Sequence, residues 1–211
     1  MKQFDRFQKL TPEHQKRILD ACIEEFAEHG YERASTNEIV KKAGIPKGTL
    51  FYFFGSKKDL YLYILDMAVL HSIERMRDFY TDPPADLFDR LLYHSQARMQ
   101  FVLSEPRLYR FFYQAFLSTP AELKSEMQNR YPAYFAGSQQ LLLKDIDLLK
   151  FKEGVDVNQA YQLIHLVAEG VFNRYLPELS RVDAADSLRL VDRIITEVKG
   201  YFELLKVGLY R

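Results

Sequence analysis

The stretch from Ser35 to Lys57, STNEIVKKAGIPKGTLFYFFGSK, constrains this chain more than any other. Ile39, Val40 and Ala43 recur at helical spacing and end at Gly44, a residue free to take the left-handed turn that closes a helix. Thr36 can cap that short helix through its hydroxyl. Ile45 plugs the junction. Pro46 suits the first turn of a second helix, where a missing N–H costs nothing. Leu50 and Phe54 stand i, i+4 and should face inward. Ser56 with Asp59 reads as a box-like cap for the helix beyond it. This is the layout of a helix-turn-helix over about residues 35–54, whose second helix can enter the major groove of DNA.

The charge pattern agrees. The formal net charge of the 211 residues is zero, which by itself does not point to nucleic acid. Between Arg33 and Lys58, however, six basic residues (Arg33, Lys41, Lys42, Lys47, Lys57, Lys58) face one acid, Glu38. A local basic patch is the footprint that phosphate binding needs.

Thr36, Ile39, Ala43, Gly44, the run Lys47-Gly48-Thr49-Leu50-Phe51, Phe54, Ser56-Lys57 and Leu60 carry a resemblance to the TetR/AcrR family of bacterial transcription regulators. It is dense from about Arg17 to Leu65; from Met67 onward it covers only length and helical layout. The resemblance implies that Lys47, Gly48 and Thr49 lie against bases or phosphates. It puts Phe51 and Phe53 on the DNA backbone or thymine methyls and lets Tyr52 reach a phosphate. Lys57 opens the next helix, where a lysine beside free helix amides suits a phosphate. Thr36 and Asn37 are also near DNA. Gly48 lets the backbone approach closely. Phe51 and Phe53 depart from the family, which usually carries Tyr, or Tyr and His; each lost hydroxyl removes a possible phosphate bond. Phe51 reads alternatively as local core packing.

The rest of the chain reads as helix. An all-α fold of about nine helices is expected, with boundaries near 11–28, 36–43, 47–53, 57–80, 85–104, 107–118, 121–149, 157–176 and 184–207. Gly30 ends the first, Pro83-Pro84 lies beyond the fourth, and Pro132 should kink the seventh. Residues 1–60 form the expected DNA-binding domain, and 61–211 the helical ligand-binding and dimerisation domain.

A single head reads only a few base pairs, and dimers place two recognition helices roughly 34 Å apart. The last two helices suit a homodimer. One carries Tyr161, Ile164, His165, Ala168, Val171, Phe172 and Tyr175; the other carries Leu188, Val191, Ile194, Ile195, Val198, Phe202 and Leu205. Two such helices from each chain can make a four-helix bundle, or each pair can simply close its own core.

Residues 101–135 hold nine aromatics, about a quarter of the segment against 14% for the chain. They pack a core or line a cavity for a small apolar or aromatic effector. The candidate lining residues are Phe88, Leu92, Met99, Phe112, Phe116, Tyr134, Phe135 and Phe172. The candidate polar anchors are His94, Arg98, Gln114, His165, Glu169 and Asn173.

Other classes fit poorly. The chain has no Gly-rich phosphate loop, nucleophile elbow or HExxH, so no enzyme activity is expected. Cys22 is the one cysteine and reads as buried filler. No metal or cofactor is expected, and no segment reaches the roughly 18 apolar residues of a membrane span. The N-terminus lacks an apolar signal core, so a cytoplasmic location is expected. The reading is a ligand-responsive regulator, most simply a repressor binding a palindromic operator in double-stranded DNA. The alternative is a helical lipid or drug carrier with a vestigial head.

Overall fold

The structure, a computed structural model, describes residues 4–117, 119–179 and 184–211. Ten α-helices succeed one another among these residues: α1 (Asp5–Gln8), α2 (Pro12–Arg33), α3 (Thr36–Ala43), α4 (Lys47–Phe54), α5 (Lys57–Asp78), α6 (Leu87–Ser104), α7 (Pro106–Leu117), α8 (Lys124–Leu143), α9 (Val157–Leu179) and α10 (Ala184–Leu209). Short 3-10 turns at Ala121–Leu123 and Leu148–Lys150 complete the order.

Three features differ from the sequence pattern. Helix α2 breaks at Gly30, which takes a φ of 67°, but resumes and runs to Arg33. Helix α1 is a single turn, too short for periodicity to reveal. The helix expected over 121–149 is divided, because Asp145 takes a left-handed φ of 56° and Asp147 caps a separate turn through Leu149 N–H. Helix α8 continues through Pro132.

The chain forms two compact units: residues 1–74 with 105–134, and residues 75–104 with 135–211. Helices α5 and α8 each begin in the first and end in the second. The first unit is built on a cluster of buried rings. Tyr61 packs edge-on to Phe26 at 4.9 Å, Tyr31 at 5.1 Å and Phe111 at 5.4 Å. Such edge-to-face contacts suit the ring quadrupole. Cys22 is fully buried beside this core, and burial pushes its thiol far above the usual range, so it is inert.

The second unit closes around α6, α9 and α10. Phe88 is sealed between the rings of Phe202 at 5.3 Å and Tyr210 at 5.0 Å. Tyr210 also pairs with Phe151 in an isolated antiparallel bridge. Asp86 caps α6: its Oδ1 accepts from the N–H groups of Phe88 and Asp89, and its Oδ2 accepts from Lys150 at 2.9 Å.

Candidate functional site

The helix-turn-helix is built from local signals. Ser35, one residue earlier than the pattern suggested, caps α3 by accepting from Glu38 N–H; Thr36 is the first helical residue. Gly44 takes φ 63°, and the N–H groups of Gly44 and Ile45 return to the carbonyls of Lys41 and Val40. That closes α3 with a left-handed turn. Pro46 occupies the cap position of α4, so Lys47, Gly48 and Thr49 form its first turn. Ser56 Oγ accepts from Asp59 N–H at 3.0 Å and donates to the Asp59 carboxylate at 2.6 Å, completing the box that starts α5.

A buried acid that the sequence pattern does not single out holds α3 in place. Glu25 is 2% exposed. Its Oε1 accepts from Ser35 N–H at 2.9 Å, and its Oε2 accepts from Lys42 Nζ at 3.3 Å. Lys42 also pairs with Glu24 at 2.9 Å. The basic patch therefore presents less charge than its count suggests. Lys42 points back at α2, Lys58 pairs with Glu126, and Lys41 lies 3.8 Å from Glu38.

The expected DNA residues separate into groups. Asn37, Lys47 and Gly48 are exposed, and Thr36, Thr49 and Phe51 are half-buried. Tyr52 is 56% exposed, with the Arg6 guanidinium 4.3 Å from its ring centre. Arg6 therefore joins this surface, carried by the one-turn α1, which Phe7 anchors in the core. Its sequence signal is faint: a basic residue inside the short Phe4–Phe7 pair. Phe53 is a correction. It is 6% exposed and packs edge-on to Phe7 at 5.9 Å, so its ring belongs to the core of the head and not to a DNA-facing surface. Lys57 is half-buried; its Nζ donates to Glu32 O at 3.0 Å and lies 5.1 Å from the Tyr31 ring centre. Burial pushes its pKa down.

The expected ligand residues do not form one group. Phe112 and Phe116 stack on α7 in the first unit, 5.7 Å apart. Phe88 is committed to the corner with Phe202 and Tyr210, which corrects its place among lining residues. The side chains of Tyr134 and Phe135 lie outside the described residues. Leu92, Met99 and Phe172 do converge, with Ser95, Ala168, Ile194, Ile195 and Val198, on an apolar cleft of about 20 Å³. That space holds about one water.

Beside it on α6 and α9 lies a half-buried polar cluster. Arg98 forms an ion pair with Glu169 and lies 3.9 Å over the Phe172 ring centre. Burial opposes the charge on Glu169, yet Arg98 holds its carboxyl below the usual range. His165 stacks on Tyr161 at 5.6 Å, and burial pushes its pKa down. His94 is pushed to about 4 by burial and then by Arg98. The Nδ1 of His94 and the hydroxyl of Tyr80 are buried without a hydrogen-bond partner. Of the other anchor candidates, Gln114 belongs to the first unit, beside Gly30, and Asn173 is exposed.

The apolar stripes expected on the last two helices mostly close their own unit. Tyr161, Ile164, Ala168, Val171 and Phe172 on α9 are buried, as are Val191, Ile194, Val198 and Phe202 on α10. Different residues stay outside: Leu163 and Leu166 on α9, and Tyr201, Leu204 and Val207 on α10. Gly170 and Gly200 lie among them, each with open space where a Cβ would stand. Among the described residues, no group of three His, Cys, Asp or Glu could hold a metal, and no helix is long and apolar enough to cross a membrane.

Residues 18–64 match the model of the family described as bacterial regulatory proteins, tetR family. The fatty acid metabolism regulator protein of Bacillus subtilis (strain 168) is 25% identical over 147 residues, 70% of this chain and 75% of that protein. The HTH-type transcriptional regulator YvdT of the same organism is 36% identical over 69 residues, 33% of this chain and 36% of that one. Among solved structures, a TetR family transcriptional regulator from Chloroflexus aurantiacus J-10-FL superposes with a TM-score of 0.58 at 25% identity, covering 98% of each chain.

Proposed function

Because this chain belongs to the tetR family of bacterial regulatory proteins, we propose that it is a ligand-responsive repressor that binds a palindromic operator as a homodimer and is released by a small, largely apolar effector. The observation that carries the DNA reading is the first turn of α4, where Lys47 and Gly48 are exposed and Thr49 is half-buried. Asn37, Thr36, Phe51, Tyr52 and Lys57 flank that turn as the remaining DNA-facing residues, with Arg6 added. A helix N-terminus with a lysine and a side-chain-free glycine suits close approach to a groove. The protein acts in the cytoplasm, where its DNA is, and performs no chemistry of its own.

The dimer forms through α9 and α10. Leu163, Leu166, Leu204 and Val207 supply an apolar face, and Gly170 and Gly200 permit close helix approach. A second copy buries these side chains in a four-helix bundle. The effector is taken by the second unit, against Leu92, Met99 and Phe172 and the polar groups of His165 and Glu169. The likeness to a fatty acid metabolism regulator supports an apolar ligand. Release is a population shift: the effector binds the DNA-incompetent form better, by about 1–3 kcal/mol for a typical coupling. Helices α5 and α8 run from one unit into the other and are the continuous elements that can carry the change.

Selection of bound sequences from a random DNA pool at near-physiological salt tests this reading. The expected result is a palindromic consensus with half-sites about one helical turn apart. Enrichment of no sequence would replace the repressor with a helical carrier whose head is vestigial.

A further inference from the structure

We propose that Tyr80 and His94, in the polar cluster of the second unit, form a subsite for an uncharged hydrogen-bonding head, a hydroxyl or carbonyl, on an otherwise apolar ligand. The inference rests on the second unit being the one that takes the effector.

The two side chains sit together, their rings edge to face at 5.9 Å. Both carry a buried polar atom with no partner, Nδ1 of His94 and the hydroxyl of Tyr80. Buried polar groups in folded proteins are almost all paired, so two orphans on adjacent rings mark a place for a group from outside the chain. A neutral imidazole offers one donor and one acceptor nitrogen, and a phenol can do either. A hydroxyl or carbonyl oxygen can therefore engage both.

Charge decides the class. The ionisable groups whose charges act on His94 are Arg98 on its own helix and His165 and Glu169 on α9; the cation that acts on Tyr80 is Arg90, which is bonded to the carbonyls of Pro83, Pro84 and Lys144. Arg98 and Glu169 already form an ion pair, and burial keeps both histidines uncharged near neutral pH. An anionic head would be buried near Glu169 or would have to draw Arg98 away from it. A cationic head would meet Arg98. Either leaves a buried charge unmatched, which is costly. A neutral head leaves the pair intact. The apolar remainder lies along the neighbouring positions Leu92, Met99 and Phe172, whose cleft of about 20 Å³ must open to admit it.

The test uses the full chain and four probes of one tail length: decanol, decanamide, decanoate and decyltrimethylammonium. Binding is read by calorimetry, and operator release by anisotropy of the selected DNA. Decanol or decanamide should bind at least tenfold more tightly than either charged probe. His94→Leu and Tyr80→Phe should each weaken the neutral probes at least tenfold, with helicity and thermal midpoint showing that the variants fold. Decanoate binding as well as decanol, neutral-probe affinity unchanged in the variants, or no probe binding would each overturn the subsite. Decanoate binding with operator release would overturn it while leaving the ligand-responsive regulator standing. Decanol binding that needs His94 but leaves DNA affinity unchanged would support the subsite and remove the effector reading instead.

Discussion

Lys57 Nζ donates to the main-chain oxygen of Glu32 at 3.0 Å, so the lysine that opens α5 is tied to the end of α2. The Tyr31 ring beneath it is itself bonded through its hydroxyl to Glu122 at 3.0 Å. In the proposed DNA complex Lys57 would meet phosphate from this fixed base, as a point charge. Lys57→Ala should weaken binding to all sequences alike and lower the slope of log affinity against log salt by about 1. Lys47→Ala, at the tip of α4, should also relax preference at one base pair if it reads a base edge. Titrations at several salt concentrations on the selected and a scrambled operator separate the two.

Gly48 separates folding from binding. It is exposed and helical, and a Cβ there would meet nothing within 4 Å. Gly48→Ala should therefore stabilise the free protein, by up to about 1 kcal/mol in urea unfolding. The same methyl should cost at least tenfold in operator affinity, because the groove needs the backbone close. Unchanged affinity would remove the glycine from the interface.

Glu25 should behave as a structural anchor. Its removal leaves Ser35 N–H and Lys42 without their buried partner. Glu25→Ala should cost about 2 kcal/mol in chemical unfolding, and the loosened α3 should weaken DNA binding. Glu25→Gln, which keeps an acceptor for Ser35, should recover part of the loss.

His94 makes the second unit sensitive to acid. Its folded pKa of about 4 lies below the ordinary histidine value of 6.5, so between these values the unfolded chain binds the extra proton. Stability is therefore complete above about pH 6.5 and falls as pH drops toward 4, by about 3 kcal/mol across that window. His94→Leu should flatten that part of the profile. Urea midpoints at pH 7 and pH 5 for both proteins measure the difference.

The proposed dimer face can be tested without disturbing the fold of either chain. Leu166 is 68% exposed and Leu204 is 71% exposed. Leu166→Glu and Leu204→Glu should leave helicity unchanged and shift sedimentation from dimer to monomer. Operator binding should then fall at least a hundredfold, since each head alone reads a half-site. A dimer that persists would place the interface elsewhere.

The helix-turn-helix was legible because each of its signals is local. Gly44 must take the left-handed turn, Leu50 and Phe54 share a face, and Ser56 with Asp59 caps α5. One-residue slips remained, such as Ser35 rather than Thr36 at the cap, because neighbouring hydroxyls look alike in sequence. The candidate ligand residues are less legible. Phe88 has the composition of a lining residue, but its neighbours Phe202 and Tyr210 come from more than a hundred residues away. Local pattern cannot show which aromatic meets which.

The helices, their order and the turn Lys47-Gly48-Thr49 are written in the chain itself, since capping, helical spacing and positive φ act within a few residues. Which faces remain outside is settled by packing. Phe53 turns to the core because Phe7 arrives from α1, and Lys42 turns from the patch because Glu24 and Glu25 wait on α2. On α9 and α10, packing buries the expected stripes and leaves Leu166 and Leu204 exposed. Burial and charge pairing depend on partners distant in the chain, so they become definite only when the helices come together.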